Sequence, residues 1–398
     1  MMAATEVHPD DAAVAERAAR AARLRREVRQ HLAVLGLSLG PTENRPGSEA
    51  LSKDRVRQLH SVQRASVLDE EYRSLARKAS ALIDRFATGH EIDPESISPR
   101  LVEVHADTPE SDLFRLATTL WSVPVSRGYG RRIRYLVTDD QNGKLIGLFA
   151  LGDPVFNLRV RDEWIGWTTD QRRRRLVSVM DAFVAGSVPP YNQLLGGKLV
   201  VSLMGSREIV RSFTRKYGRS VGGISGESKS ARLALITVTS ALGRSSLYNR
   251  VRLPNMLTLY RIGETNGWGH FHIPENLFSQ MRELLALDGH RYANGHQYGD
   301  GPNWRIRVIR EALDQVGLKG DLLRHGVCRE VYALPMASNW REYLRGDATR
   351  LNGMPPKAAD IADAALRRWV LPRAERMPGY RSWQSGDTRA LFRTLLAD

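Results

Sequence analysis

The sequence predicts an α+β protein: a mixed-sheet core flanked by N-terminal helices and a mainly helical C-terminal region. Three observations lead there. An Ala/Arg/Glu-rich run opens the chain with helical composition. Two alternating apolar runs, Ile133–Val137 and Leu145–Leu151, flank Asp139-Asp140-Gln141-Asn142-Gly143, and an Asn-Gly turn between such runs marks a β-hairpin. Beyond Pro274 the apolar spacing becomes mostly helical. The expected divisions are 1–100, a helical region; 101–273, a mixed α/β core; and 274–398, a mainly helical region. With 398 residues the chain exceeds the usual size of one core, so two or three packed units are expected.

In order along the chain, Asp10 or Asp11 caps a helix that runs to about Leu35 and stops at Gly36. Its arginines do not share one stripe, which suits a solvated helix with ion pairs to Glu16 and Glu27, or an arm facing nucleic acid. Gly40–Ser48 reads as a linker. Ser52 caps a second helix, and a third spans Tyr72–Phe86. The prolines of Asp93–Arg100 mark a boundary. After the hairpin come Gly152-Asp153-Pro154, the charged residues Arg159, Arg161, Asp162 and Glu163, and the pair Trp164 and Trp167. Thr169 or Asp170 to Ala185 is expected as an amphipathic helix with Leu176, Val177, Met180 and Val184 inward. A Gly196-Gly197-Lys198 turn opens Leu199–Tyr217, and Leu233–Thr239 is a β-run. Tyr298–Trp304 interrupts the helical C-terminal region, whose final ~50 residues are expected to pack less tightly.

Lys and Arg outnumber Asp and Glu by 59 to 44, a formal charge of +15. Arginine supplies most of it, and its planar fork binds phosphate bidentately, so DNA or RNA is the expected partner. The single cysteine, Cys328, excludes disulfide scaffolds, cysteine-based zinc sites and iron–sulfur clusters. No run of eighteen or more apolar residues exists and the N-terminus lacks a signal-peptide core. The expectation is a soluble, cytoplasmic protein without membrane contact.

Several groups suit chemistry. Gly196, Gly197 and Lys198 follow Pro189-Pro190 and would offer backbone donors and a cation to a phosphate-bearing cofactor, although the Walker spacing is absent. Ser240, Ser245, Ser246, Tyr248 and Asn249, with Arg244, place hydroxyls, an amide and a guanidinium at a strand end. Tyr191 and Asn192 follow two prolines that fix the chain direction. His270 and His272 would share a face on a strand, but no carboxylate stands at ligand spacing and no metal is assigned. Asp153, Asp162, Glu163 and Asp181 could supply paired acids. Nucleophile elbow, HExxH and dinucleotide fingerprint are all missing.

The ordered series WSVPVSRGYGRRIRYLV, NGKLIGLFALGDPVFNL, RDEWIGW, VPPYNQLLGGKLV, TSALGRSSLYNR, GWGHFHIP and GPNWRIRVIR resembles the Druantia anti-phage DruA family, collinearly from about Ser52 to Gly346. The resemblance implies a component of a bacterial antiviral defence system. By weaker analogy the centre looks like a GNAT-type acyltransferase core. That analogy implies a pyrophosphate cradle at Gly196–Lys198 and Tyr248 as general acid. It also implies a V-shaped split between Leu233–Thr239 and the strand before the glycine turn (Leu194–Val201, or whatever precedes that helix). The sequence departs from the acyltransferase pattern in lacking a clean Gln/Arg-x-x-Gly-x-Gly/Ala.

Three functions follow as expectations. In the first, the defence component engages nucleic acid or a nucleoprotein partner through Arg131, Arg132, Arg134, Arg172, Arg173 and Arg244. In the second, a GNAT-like enzyme transfers an acyl or related group to nucleic acid or protein, with Tyr248, Ser246 and Asp153 catalytic. In the third, a scaffold recruits a helicase-like or nuclease partner. The cofactor, if any, is left open.

Overall fold

The computed structural model describes residues 9–37, 51–125, 130–221, 228–294, 302–318 and 320–393. The expected linker Gly40–Ser48 and most of the Tyr298–Trp304 stretch lie outside them. The chain groups into two compact units, 1–63 with 266–328, and 64–265 with 329–398.

In the first unit, helix Pro9–Val34 presents Leu24, Val28 and Leu32 to the helices Glu275–Leu287 and Pro302–Gln315. These residues recur every four positions, one face of a helix. Its outer face carries the expected intrahelical pairs, Arg20 to Glu16 at 2.8 Å and Arg23 to Glu27 at 2.7 Å. Ser52 caps the helix Lys53–Leu59 by accepting the Arg55 amide at 3.2 Å. His270 and His272 stand in a turn, not on a strand, so the shared-face expectation fails. The ring of His272 is 2% exposed, and its Nε2 lies 2.8 Å from the Leu322 carbonyl. Burial pushes both histidines down to about 4, with Arg305 adding to the effect at His270 and His31 at His272.

The second unit is built on a seven-stranded mixed sheet: β1 (Pro99–Glu103), β2 (Arg132–Asp139), β3 (Leu145–Gly152), β4 (Val179–Ser187), β5 (Leu235–Thr239), β6 (Tyr260–Glu264) and β7 (Glu330–Pro335). The order is β1-β2-β3-β4-β5-β7-β6, with β4 and β5 parallel and every other pair antiparallel. The β2–β3 hairpin forms where Asn142-Gly143 predicts it. Gly143 holds φ +70° and returns its amide to the Asp139 carbonyl at 2.7 Å. The Asp139 carboxylate, fully buried, accepts the Tyr191 hydroxyl at 2.8 Å and the Ser98 amide at 2.9 Å.

All eight residues of β3 are buried, because layers cover both faces of the sheet. Ile146, Phe149 and Leu151 face one layer and Leu145, Leu148 and Ala150 the other. Strict alternation breaks at Ile146, the extra residue between the Val137↔Gly147 and Thr138↔Leu145 pairs where the β2–β3 register shifts.

The expected helix from Thr169 or Asp170 to Ala185 is not formed as such. A short helix, Thr169–Arg175, gives way to β4. Leu176 and Val177 lie in the 3₁₀ turn before β4 and Met180 and Val184 within it. A central strand covered on both faces carries apolar residues on either side, and their spacing across the turn imitates a helix. Leu199–Tyr217 is likewise two helices, Gly196–Leu203 and Arg207–Tyr217. The Tyr72–Phe86 helix is also divided, into Ser61–Leu75 and Ala79–Ile83 with a 3₁₀ turn between. Strand β7 is a departure from the mainly helical C-terminal pattern. In the final described segment Ile361, Tyr380 and Phe392 are fully buried, while most residues of 371–393 are exposed or half-buried, in line with the looser packing expected there. Among the described residues no helix is long and apolar enough to cross a membrane.

Candidate functional site

The two ends of the β4–β5 pair gather different chemistry. The strands pair from Val179↔Leu235 to Ala182↔Val238, after which β4 continues to Ser187 while β5 stops at Thr239. Beyond this divergence Leu195, at φ +60°, opens the helix Gly196–Leu203. Gly196 is obligatory there, since a Cβ would lie 2.7 Å from the Tyr191 carbonyl oxygen. Lys198 sits over the Trp369 ring, and burial, then Arg250 and Arg368, lower its pKa.

The chain after β5 folds back over this end. A Cβ on Gly197 would touch the Leu247 methyls at 3.4 Å, and Tyr248 packs 5.6 Å from Tyr332. Burial, helped by the charge of Asp181, pushes the Tyr248 hydroxyl up to about 12. Ser245 Oγ accepts the amides of Leu247 and Tyr248, starting a 3₁₀ turn in the manner of a helix cap. Ser240 is buried with its amide on the Glu330 carbonyl. Ser246, Asn249, Arg244 and Asn192 are exposed. Glu330 binds this segment in place by accepting from Ser245 N, Tyr332 Oη and Arg261 Nε. Burial opposes its ionisation, yet those bonds hold the carboxyl below its ordinary value. Tyr191 is 2% exposed and spends its hydroxyl on Asp139 and Asn142, a corner in the core.

Asp153 belongs to the opposite end. It follows Gly152, which pairs with Asp181 near the start of β4, whereas Gly196 and Gly197 lie beside Ser187 at the other end of that strand. Its carboxylate clamps Arg131, accepting Nε at 2.7 Å and the amide at 2.9 Å, while Arg131 donates to the Val177 carbonyl at 2.7 Å. A Cβ at Gly130, φ +65°, would overlap Asp153 Oδ2 at 2.0 Å, so the clamp requires glycine there. Arg172 is similarly committed, to Asp162 at 2.9 Å and over the Phe156 ring. Arg161 is wholly buried on Asp162 and two carbonyls. Asp181 faces this layer and accepts Thr237 Oγ1 at 2.6 Å, and burial raises its pKa against the pull of Thr237 and Arg161. Arg132 and Arg134 line a cavity of about 350 Å³ that also holds Glu70 and Glu71. Arg173 is exposed. Among the described residues no group of three His, Cys, Asp or Glu is placed to hold a metal ion.

A different set of arginines meets beside this end. Arg175, Arg211, Arg215, Arg232 and Arg350 line a cavity of about 990 Å³ with no carboxylate among its lining residues. An adjoining hollow of about 560 Å³ shares Arg215 and Arg232 and adds Lys216 and Arg219. Glu103 holds Arg215 and Lys216. Burial draws Glu103 up, but the Lys216 and Ser212 bonds and the Arg215 charge leave it below its ordinary value. Arg175 lies over the Tyr343 ring at 4.8 Å. Among the described residues Arg211, Arg219, Arg232 and Arg350 form no ion pair. Like charges held together without counter-charge create a positive potential that a polyanion relieves.

Residues 50–346 match the family Druantia protein DruA. The chain belongs to the Druantia protein DruA family. It is 46% identical over 388 residues to the Druantia protein DruA of Escherichia coli (strain UMEA 4076-1), covering 96% of this chain and 94% of that one. No solved structure matches. The family's ordered motifs fall in distinct places: NGKLIGLFALGDPVFNL forms β3, and VPPYNQLLGGKLV forms the turn into the helix Gly196–Leu203. Sequence reasoning missed Arg211, Arg232 and Arg350. Each stands in an ordinary amphipathic or loop segment, and only the fold brings them together.

Proposed function

We propose that this chain serves in Druantia-type anti-phage defence as a component that holds nucleic acid. The arginine-lined cavity carries the reading: Arg211, Arg232 and Arg350 line it with no ion pair among the described residues, which suits successive phosphates. Of the arginines expected from sequence, Arg131 and Arg172 already satisfy internal carboxylates, so the phosphate contacts are assigned instead to Arg211, Arg232 and Arg350. Other components of the defence system, helicase-like ones included, are further partners on this reading. The test is binding of fluorescent oligonucleotides across a salt series. Affinity falls steeply with added salt, and each of Arg211→Ala, Arg232→Ala and Arg350→Ala weakens binding and flattens the slope by about 0.7 to 0.9. Salt-insensitive binding, or none, sinks the proposal.

A second reading concerns the core itself. The strand order, the parallel pair that diverges after Ala182 and Val238, and the glycine turn beyond β4 support a GNAT-like architecture. Gln193-Leu194-Leu195-Gly196 keeps the first half of the acyltransferase pattern, and Lys198 departs from the second half. Acyl transfer would need the divergence open, whereas Leu247 and Tyr248 pack there. This favours a scaffold use of the architecture over group transfer. A thermal shift on adding acetyl-CoA would reverse that preference.

A further inference from the structure

The arginine cavity does not end in solvent on every side. Met336, Gly353 and Met354 wall it on one flank, and the same three residues wall a second groove of about 790 Å³. That groove contains no carboxylate either, but its character is aromatic. Trp164 and Trp340 stack 4.5 Å apart and within 19° of parallel, and Tyr260 lies 6.2 Å from Trp164. The Arg341 guanidinium lies over both tryptophan rings, at 5.2 and 4.6 Å. Tyr260 belongs to β6, the edge strand of the sheet, and is 48% exposed; Met256 and Met354 beside it are 37% and 51% exposed. Large apolar side chains left in water next to a cationic cavity need an occupant that is apolar on its faces and anionic along its backbone.

We propose that the adjoining grooves form a track for single-stranded nucleic acid, with phosphates on Arg211, Arg232 and Arg350 and unpaired bases against Tyr260, which the half-buried Trp164 and the buried Trp340 back from the core side. The inference rests on the nucleic-acid reading above and narrows it. Base faces are open to a protein ring only where the strand is unpaired; in a duplex they are covered by their neighbours. A basic channel alone would accept either form, so the aromatic arm makes the selection. Sequence preference is weak, because every base offers a π-face. The 2′-hydroxyl then decides between DNA and RNA.

The experiment compares fluorescence anisotropy of dT15, rU15 and a 20-base-pair duplex with the full chain, with Tyr260→Ala, Tyr260→Phe, and Arg211→Ala/Arg232→Ala. Thermal melts establish that each variant is folded. Single strands bind more tightly than duplex; Tyr260→Ala loses roughly tenfold on the single strands and less than twofold on duplex, and Tyr260→Phe restores binding. The stronger of dT15 and rU15 names the natural strand. The paired arginine variant weakens both forms. Equal loss on duplex and single strand, or none, with Tyr260→Ala overturns the track while leaving the nucleic-acid reading intact. Failure of the wild-type chain to bind any of the three probes overturns both.

Discussion

Replacing Asp153 by alanine asks whether the Arg131 clamp is structural or chemical. The carboxylate accepts two Arg131 bonds, of 2.7 and 2.9 Å, with side-chain exposure of 14% for Arg131 and 30% for Asp153. Hydrogen bonds to a charged group contribute about 1.5–3 kcal/mol each. Solvent reaches part of this pair and takes back some of that amount. Arg131 also keeps its bond to Val177 and its place near the Phe213 and Tyr217 rings. The expected loss for Asp153→Ala is therefore about 2–3 kcal/mol, a fall in Tm of roughly 4–10 °C for a unit of this size. Asp153→Asn keeps one acceptor and loses about half as much. Thermal and urea denaturation measure both, alongside phage protection in cells. A stability loss below about 0.5 kcal/mol for Asp153→Ala refutes the clamp. So does an Asp153→Asn chain of unchanged stability that no longer protects, since that result would give the carboxylate a chemical task.

Three further outcomes are expected. His272 is held neutral when folded, with a pKa near 4 against 6.5 when free, so only the unfolded chain takes up its proton between those values. Stability is complete above pH 6.5 and falls as pH drops toward 4, by up to about 3 kcal/mol for this histidine; hydrogen exchange of residues 275–315 across that range should show it, and His272→Gln should reduce the dependence while the share of His270 remains. Glu330→Gln should cost about 2–3 kcal/mol in denaturant titrations, because Arg261 loses its buried carboxylate partner and the Ser245 segment a charged acceptor. Tyr248→Phe should leave protection at the wild-type level; abolished protection in a folded chain would return the hydroxyl to a catalytic role.

The hairpin, the N-terminal helix and its ion pairs, and the Ser52 cap were legible because each rests on residues close in sequence. Asn142-Gly143 imposes its turn, and Leu24, Val28 and Leu32 lie one helical turn apart. What failed was decided by burial. β4 reads as a helix because both its faces are covered, so apolar residues fall on either side and its lone acid, Asp181, does not mark a period-two alternation. β7 hides in a region of helices, and its place between β5 and β6 follows from a pairing about ninety residues distant along the chain. The charge of the chain pointed to a polyanion, but charge alone does not say which arginines are spent. Arg131 and Arg172 look the same in sequence as Arg211 and Arg232, and only Asp153 and Asp162 beside the first two separate them. The aromatic groove escaped for the same reason, since Trp164, Tyr260 and Trp340 come from three distant segments.

Strands β6 and β7 pair antiparallel, with Glu264 opposite Glu330 and the Thr265 amide on the Arg329 carbonyl at 2.9 Å. The chain therefore leaves the sheet and returns to the same rung after the whole of 266–328 has intervened. On the ribosome this imposes a wait. At about 5–20 residues per second, those roughly sixty residues take about 3–12 s to emerge, and throughout that time β5 lacks its neighbour. An open, apolar strand edge of that kind invites pairing with another nascent chain. Yield in cells should then depend on translation speed through this stretch: synonymous codons that slow it would lengthen the exposure and increase aggregation without changing a single amino acid.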